Sequence, residues 1–404
     1  MLFLNPFNII TPMKKELLIG VQIETNRAHG RSMLEGIADY ALAHTDWRLE
    51  SVEPKSLVDS TNLKRFDGFI VRVMDNATAN ALMQSKKPVI DTYGRMDSGS
   101  IPFIRLDDRA IAETAANCFL EHDFKRCAFC GFPGLRFSEA RGVAFREAVE
   151  KSGGVCKIYN GQTGKLRETF VRNERMDSCP DETTLRRWAI SLPKPVAVFC
   201  CNDMRAFHFL KVCADAGINV PKEIAVLGVD NDKVLCTFSN PPLSSIDTGA
   251  FSLGKTAARL LDGMLQGHET PPAATLHKPR SVTERTSTES YPTVTPWLSD
   301  ALVYIRRHIG DGISANDVIA HLGYSHTTVG KVFRKELGMS VQQEIIRYRR
   351  ESACRLLRET SLTAAEIANE CGYPSPQYFA HTFSAHFGTT PEKWRRGEFP
   401  VRHS

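Results

Sequence analysis

No apolar run in the 404 residues is long enough to cross a bilayer, so no membrane-spanning helix is expected. The opening stretch MLFLNPFNIITPMKK carries no basic residue ahead of its apolar part and no clear cleavage site, and Pro6 and Pro12 interrupt it. It therefore reads as a disordered lead over 1–15 or an early start codon, not an export signal. A Walker loop, a GxGxxG after the first strand and a GxSxG elbow are all missing, which leaves nucleotide-dependent and serine-hydrolase chemistry without a motif. No catalytic residue and no cofactor are expected. The 11 cysteines do not form a metal pattern: Cys127-Ala-Phe-Cys130 has knuckle spacing, but no second pair or His cluster completes four ligands. Buried, reduced thiols in a cytoplasmic protein are the expectation, with no metal site.

What is present is ordinary in amount and uneven in placement. Hydrophobic residues make up 42% and charged ones 24%, as in a globular protein, and the length calls for two or three domains. The formal net charge is +5. From Pro292 onward 14 Lys/Arg face 11 Asp/Glu, so +3 of it lies in the last 113 residues, a modest basic bias compatible with phosphate contact.

That tail writes one pattern twice, Ser314–Gly338 and Thr363–Gly388. Gly323-Tyr324 and Gly372-Tyr373 are 49 positions apart (372 minus 323), and Phe333 and Phe383 are 50 apart, so the second turn holds one extra residue. Each copy opens at capping-box spacing, Ser314 with Asp317 and Thr363 with Glu366. Apolar residues at helical spacing flank each Gly-Tyr, and Gly338 or Gly388 closes the second helix. Two helices around a short glycine turn make a helix-turn-helix, whose second helix suits a major groove. The spacer Ser340–Glu359 reads as a helical rod, with Ile345, Ile346, Ala353, Leu356 and Leu357 inside and Arg347, Arg349, Arg350, Arg355 and Arg358 largely outside.

The pattern Arg349-x3-Ala353-x2-Leu356-Leu357, then Ile367-x4-Gly372-Tyr373-x4-Tyr378-Phe379-x3-Phe383-x4-Gly388-x-Thr390-Pro391-x2-Trp394-Arg395, resembles the AraC-type DNA-binding domain over about the last quarter of the chain. Double-stranded operator DNA is the partner this implies. Outward positions expected to meet DNA are His326, Thr327, Lys331 and Arg334 on the first recognition helix. On the second they are Ser375, Gln377, His381 and Ser384. Gln is suited to adenine, Lys to guanine and Thr to a thymine methyl. The second helix is poor in the basic residues usual in the family, and Gly330 within the first is unusual, so the second head is expected to grip weakly.

From Glu16 short apolar strands alternate with amphipathic helices, which implies right-handed crossovers and parallel sheets. Two such lobes leave a cleft at the carboxyl ends of their strands. Asn202-Asp203-Met-Arg-Ala206 and Gly228-Val-Asp230, with Arg141-Gly142-x2-Phe145 and Pro242-Leu-Ser-Ser-Ile-Asp247, are similar to the periplasmic-binding-protein-like sensors of LacI-type repressors, over roughly Glu16–Thr288. The fold class expected is thus a two-lobed α/β sensor with parallel sheets and helices on both faces (16–288), a linker (289–296) and an all-α domain with two helix-turn-helix motifs (297–404). A sensor of this kind ahead of an AraC-type domain looks like the xylose-operon activators of bacteria, with Glu284-Arg285-x-Ser287-Thr288 as the exit strand.

A sugar pocket needs bidentate acceptors, fork-shaped donors and an aromatic platform. Asp203 and Asp230, each directly after an apolar strand, are expected to project into the cleft as acceptors, although an Asx residue there equally caps the next helix. Arg141 supplies a planar donor fork, and the resemblance adds that positions matching Arg141, Asn202 and Asp230 commonly touch ligand. Glu24, Asn26, Arg72 and Asp107 are further candidates, with Tyr93 and Phe137 as platforms. The resulting expectation is a cytoplasmic regulator responsive to a xylose-like sugar, a homodimer on operator DNA, meeting RNA polymerase if it activates. The rivals are a repressor for another sugar, a solute-binding protein, which would need an export signal, and an enzyme.

Overall fold

The computed structural model describes residues 16–94, 101–161, 176–268 and 271–396; the lead 1–15 lies outside them. The first lobe begins with β1 (Leu17–Gln22), α1 (Ala28–His44), β2 (Trp47–Ser51), α2 (Ser60–Leu63), β3 (Gly68–Val71), α3 (Asn76–Ser85), β4 (Val89–Asp91) and β5 (Phe103–Leu106). The second follows as α4 (Asp108–Glu121), β6 (Arg126–Cys130), α5 (Arg136–Lys151), β7 (Val155–Ile158), α6 (Glu182–Ser191), β8 (Val196–Cys200), α7 (Asp203–Asp215), β9 (Ile224–Val229), α8 (Lys233–Phe238) and β10 (Ser244–Asp247). The chain then returns to the first lobe for α9 (Ala250–Leu265) and β11 (Ala274–His277) before β12 (Ser281–Thr283) rejoins the second.

The first sheet runs β11-β5-β4-β3-β1-β2, all parallel. The second runs β12-β10-β9-β8-β6-β7, parallel except where β12 pairs antiparallel with β10. Strands covered on both faces read as continuous apolar runs, and VAVFC (β8) and IAVLGV (β9) are buried at every residue. The chain passes between lobes at 106–108, 247–250 and 277–281, so three short crossings carry any hinge motion. In the first lobe α1 packs on α9, and glycine lets the two backbones approach. A Cβ on Gly254 would stand 2.0 Å from the Met33 carbonyl oxygen, and one on Gly36 2.0 Å from that of Phe251.

The helical domain holds α10 (Pro296–Arg307), α11 (Ala315–Leu322), α12 (His326–Leu337), α13 (Val341–Glu359), α14 (Ala364–Glu370), α15 (Pro376–Phe387) and α16 (Pro391–Arg395). Both capping boxes form: the Ser314 N–H donates to Asp317 at 2.8 Å and the Thr363 N–H to Glu366 at 2.7 Å. The two motifs have separate cores, one around Val318, Val329 and Phe333 and one around Ile367, Phe379 and Phe383. The rod α13 joins them, giving Ile345 to the first and Ala353 and Leu357 to the second.

Three expectations are corrected. Arg349 is inside the rod, 9% exposed and donating to the Ile313 carbonyl at 3.0 Å, whereas Ile346 is exposed. The guanidinium reaches the Ile313 carbonyl, in the loop just ahead of the N-cap Ser314, and periodicity alone does not register that. The exit strand ends earlier than Glu284–Thr288 suggested: β12 is Ser281–Thr283, and Thr286–Thr288 form a 3-10 turn. The stretch 289–296 is not a free linker. Ser290 and Tyr291 are buried, the Ser290 hydroxyl donating to the Pro221 carbonyl at 2.8 Å and Tyr291 joining the core of the first helix-turn-helix. The N–H groups of Val294 and Thr295 donate to Glu336 on α12 at 2.9 and 3.2 Å.

Candidate functional site

A cleft of about 820 Å³, open mouth included, lies between the lobes. Of the eight residues expected there, Glu24, Arg72, Arg141, Asn202 and Asp230 line it, as do both platforms, Tyr93 and Phe137. Asn26, Asp107 and Asp203 are not among its lining residues. Asp107 caps α4 by accepting from the Ala110 N–H at 3.0 Å. Asp203 is fully buried, accepting from the Ser245 hydroxyl at 2.6 Å and from the Asp232 N–H at 2.8 Å. It therefore holds the loop that carries Asp230 instead of projecting into the cleft, because the first residue of α7 turns inward. Burial, together with the nearby Asp230 charge, pushes its carboxyl well above the usual range.

Asn202 is the N-cap of α7, accepting from the Arg205 N–H at 2.9 Å, and still faces the cleft. Arg141 sits within α5, not at its first turn; its Nε donates to Asp108 at 3.0 Å and its Nη1 to the Cys201 carbonyl at 2.6 Å. The two anchors hold the guanidinium in one orientation at the cleft wall. Asp230 follows β9 at φ 106°, a conformation that non-glycine residues rarely adopt and that clusters at functional positions. Burial raises its pKa to about 6 against the pull of Arg141. Across the cleft His29 on α1 lies 3.9 Å from Asp230, and burial plus the charges of Arg141, Arg72 and Arg27 hold its ring neutral, with a pKa of about 3. Sequence reading missed Arg27, His29, Arg105, Asp108 and Arg136, all of which line the cleft. The run Asp107-Asp108 after an apolar strand was the one available signal, and it pointed to the wrong partner of the pair.

Helix α4 connects this cleft to the helical domain. It begins at Asp108 and runs about 20 Å to its C-cap His122. The His122 ring is buried and held neutral, with a pKa of about 3, chiefly by burial and then by the Arg306 charge. Its Nδ1–H donates to the Cys118 carbonyl at 2.8 Å, leaving Nε2 to accept from Arg306 on α10. Arg306 also donates to Glu284, just past β12, at 2.5 Å, and the Tyr291 ring lies 5.3 Å from that of His122. One guanidinium thus ties together the end of α4, the exit of the sensor and the first helix of the next domain.

On the helical domain, His326, Thr327, Lys331 and Arg334 are exposed on α12, and Gln377 and His381 on α15. Ser375 is occupied as the N-cap of α15, accepting from the Tyr378 N–H at 3.1 Å, and Ser384 is half-buried. Tyr324 and Tyr378 are exposed aromatics beside the two recognition helices that sequence reading did not nominate.

Comparison with known proteins agrees with this architecture. A periplasmic-binding-protein-like domain matches residues 116–288 and a helix-turn-helix domain matches 318–397. The xylose operon regulatory protein of Escherichia coli K12 is 31% identical over 93% of this chain and 96% of its own length. The chain belongs to the xylose operon regulatory proteins. The Haemophilus influenzae member is 29% identical over 93% of this chain and 97% of its own. A solved xylose-binding transcription activator superposes over 96% of this chain and 99% of that one, with a TM-score of 0.59 and 29% identity. A LacI-family regulator from Enterococcus faecalis with bound ribose covers 68% of this chain and 99% of its own at a TM-score of 0.53 and 20% identity, and shows the sensor fold alone. As a member of the xylose operon regulators, the protein is a sugar-responsive, DNA-binding transcription regulator and not an enzyme. No helix among the described residues is long and apolar enough to cross a membrane.

Proposed function

We propose that this regulator activates genes of pentose catabolism in response to a sugar with the ring of xylose, bound between the lobes by Arg141, Asn202 and Asp230, with Glu24 and Arg72 on the facing wall. The observation that carries the reading is the continuity of α4, which starts at Asp108 against Arg141 in the cleft and ends at His122 against Arg306 of the DNA-binding domain. A ligand that draws Arg141 and Asp230 toward the first lobe shifts α4, and the shift reaches α10 without crossing a flexible joint. The names of the relatives support the choice of sugar. The protein acts as a cytoplasmic homodimer, whose two-fold sets the spacing of two pairs of reading heads on operator DNA, and it meets RNA polymerase there. His326, Thr327, Lys331, Arg334, Gln377 and His381 contact the DNA, with Ser375 and Ser384 in supporting positions.

A thermal-shift series tests the assignment. A xylose-ring sugar at 100 times its dissociation constant is expected to stabilise the protein by about 2.7 kcal/mol. Arg141→Ala and Asp230→Ala are each expected to weaken binding by about 1.5–3 kcal/mol, because each strands buried partners. Wild-type sugar affinity in both variants, measured by calorimetry, rules the pocket out.

A further inference from the structure

Arg349 is a buried cation without a counter-charge. It stands midway along the rod α13, 9% exposed, and its one hydrogen bond runs from Nη2 to the Ile313 carbonyl at 3.0 Å. Its Nε–H is buried and has no acceptor. The other two buried arginines among the described residues each hold a carboxylate: Arg141 has Asp108 at 3.0 Å and Arg205 has Asp181 at 2.8 Å. Burial pulls the Arg349 pKa below the ordinary arginine value, and only the side chains of Tyr373, Tyr378 and Cys371 oppose that pull. A buried charge left unpaired is costly, and proteins ordinarily supply it with a partner.

Arg349 lines a pocket of about 690 Å³, open mouth included, between the two helix-turn-helix motifs. One wall is the 3-10 turn Ile309–Asp311 with Gly312, just ahead of α11, and the other is Gly372-Tyr373-Pro374, just ahead of α15. The two backbones meet there, since a Cβ on Gly372 would stand 1.9 Å from the Ile309 carbonyl oxygen. With glycine at 310, 312 and 372, much of the lining has no side chain, which leaves room for a close approach by another backbone. Tyr373 brings a second buried donor, a hydroxyl with no hydrogen-bond partner. The pocket's one carboxylate, Asp311, accepts from the His308 ring at 2.8 Å and keeps 69% of its side chain exposed, so it does not answer Arg349. In a helix-turn-helix the first helix crosses the DNA backbone and the recognition helix enters the major groove by its N-terminal residues. A pocket beside the starts of α11 and α15 therefore lies where a strand passes from one head's groove to the other's.

We propose that this pocket takes one backbone phosphate of the operator between the two half-sites, with Arg349 as its counter-charge and the Tyr373 hydroxyl as a second donor. The inference rests on both heads engaging one duplex. Because one wall comes from each motif, the phosphate fixes the separation of the heads while reading no base.

The test is a methylphosphonate scan, which makes each phosphate neutral in turn, of an operator duplex recovered from random DNA by the full-length protein. Neutralising one phosphate between the half-sites is expected to weaken wild-type binding about 10- to 100-fold, the scale of a charge-assisted hydrogen bond. In Arg349→Met, which keeps the bulk of the side chain, that penalty is expected to vanish and the salt slope to fall by about one unit, alike for operators of different sequence. Arg349→Met also loses the bond to Ile313, so Tyr373→Phe, which removes only an unpartnered hydroxyl, is read beside it. Its urea midpoint is expected to hold while the penalty at the same phosphate shrinks by about threefold or more. If circular dichroism shows Arg349→Met unfolded, the Tyr373→Phe scan decides. An arginine with a merely structural role shifts the urea midpoint of Arg349→Met but leaves its salt slope and phosphate penalties at wild-type values, and that result overturns the inference. So does a wild-type scan without a sensitive phosphate between the half-sites, or a full penalty in Tyr373→Phe. Penalties that persist at phosphates flanking α12 and α15 then leave the two-headed reading standing; their absence removes that reading as well.

Discussion

Asp230 concentrates the residue-scale chemistry: positive φ, burial and a pKa near 6 in one side chain whose oxygen lies 3.9 Å from His29. Its folded pKa stands above the usual 3.8, so the folded chain binds the extra proton between about pH 3.8 and 6, and this group's contribution to stability falls as pH rises through that window. Ligand binding runs the other way, because a protonated carboxyl loses acceptor capacity for sugar hydroxyls. Sugar affinity is therefore expected to fall as pH drops below 6, by up to about tenfold per pH unit, and Asp230→Asn is expected to bind weakly with a flat profile. Calorimetry at pH 5 to 8 measures both; an unchanged slope in the variant assigns the titration elsewhere. His29 and His122, each depressed from 6.5 to about 3, act oppositely on the fold. The unfolded chain takes up protons below pH 6.5 that the folded rings refuse, so stability is expected to fall on acidification by up to about 1.4 kcal/mol per ring per pH unit. Urea midpoints at pH 7 and 5.5 check the direction.

At the scale of elements, α4 and the paired recognition helices make separate predictions. Arg306→Met keeps the bulk of the side chain but removes the donor shared by His122 and Glu284. Sugar affinity is expected to stay within about twofold, since the cleft lies roughly 20 Å away, while the sugar dependence of operator binding is lost. Retention of the full sugar response would show that the signal bypasses this junction. The recognition helices differ in charge: α12 exposes Lys331, Arg334 and Lys335, whereas α15 has no Lys or Arg. Phosphate neutralisation governs the salt slope, so Lys331→Ala is expected to lower it by about one unit or, if the side chain reads guanine, to cost about 1–3 kcal/mol at one base position. Gln377→Ala is expected to shift base preference with little change in slope. A larger slope change in Gln377→Ala than in Lys331→Ala reverses that division of labour.

For the whole molecule, the burial of 290–295 decides where the DNA-binding domain can be cut. Tyr291 is 5% exposed in the core with Leu298 and Phe333, and Glu336 receives N–H groups from Val294 and Thr295. A fragment starting at Glu289 is expected to be about 3 kcal/mol more stable to urea than one starting at Pro296, the scale of deleting a large core side chain. Equal midpoints would mean that Tyr291 belongs energetically to the sensor, where its ring meets His122.

The duplicated helix-turn-helix was legible because local spacing writes it: caps, Gly-Tyr breaks and apolar periodicity lie within a few residues of one another, and the structure returns both capping boxes and both cores. Strand-helix alternation likewise yielded two parallel lobes, since a strand buried on both faces is apolar throughout. Arg141 and Asp230 could be nominated from motifs, whereas Asp203, matched by the same reasoning, is turned inward to Ser245. Arg27 and Arg136 had no sequence signal, because their places come from two lobes brought face to face by three chain crossings. The same holds for Arg306, His122 and Glu284, which are as much as 184 positions apart and meet only once α4 is laid against α10. Periodicity determines which face of an element is buried; which charges then oppose one another across a cleft or a domain junction is fixed by the packing of elements remote in sequence, and that only the tertiary structure decided.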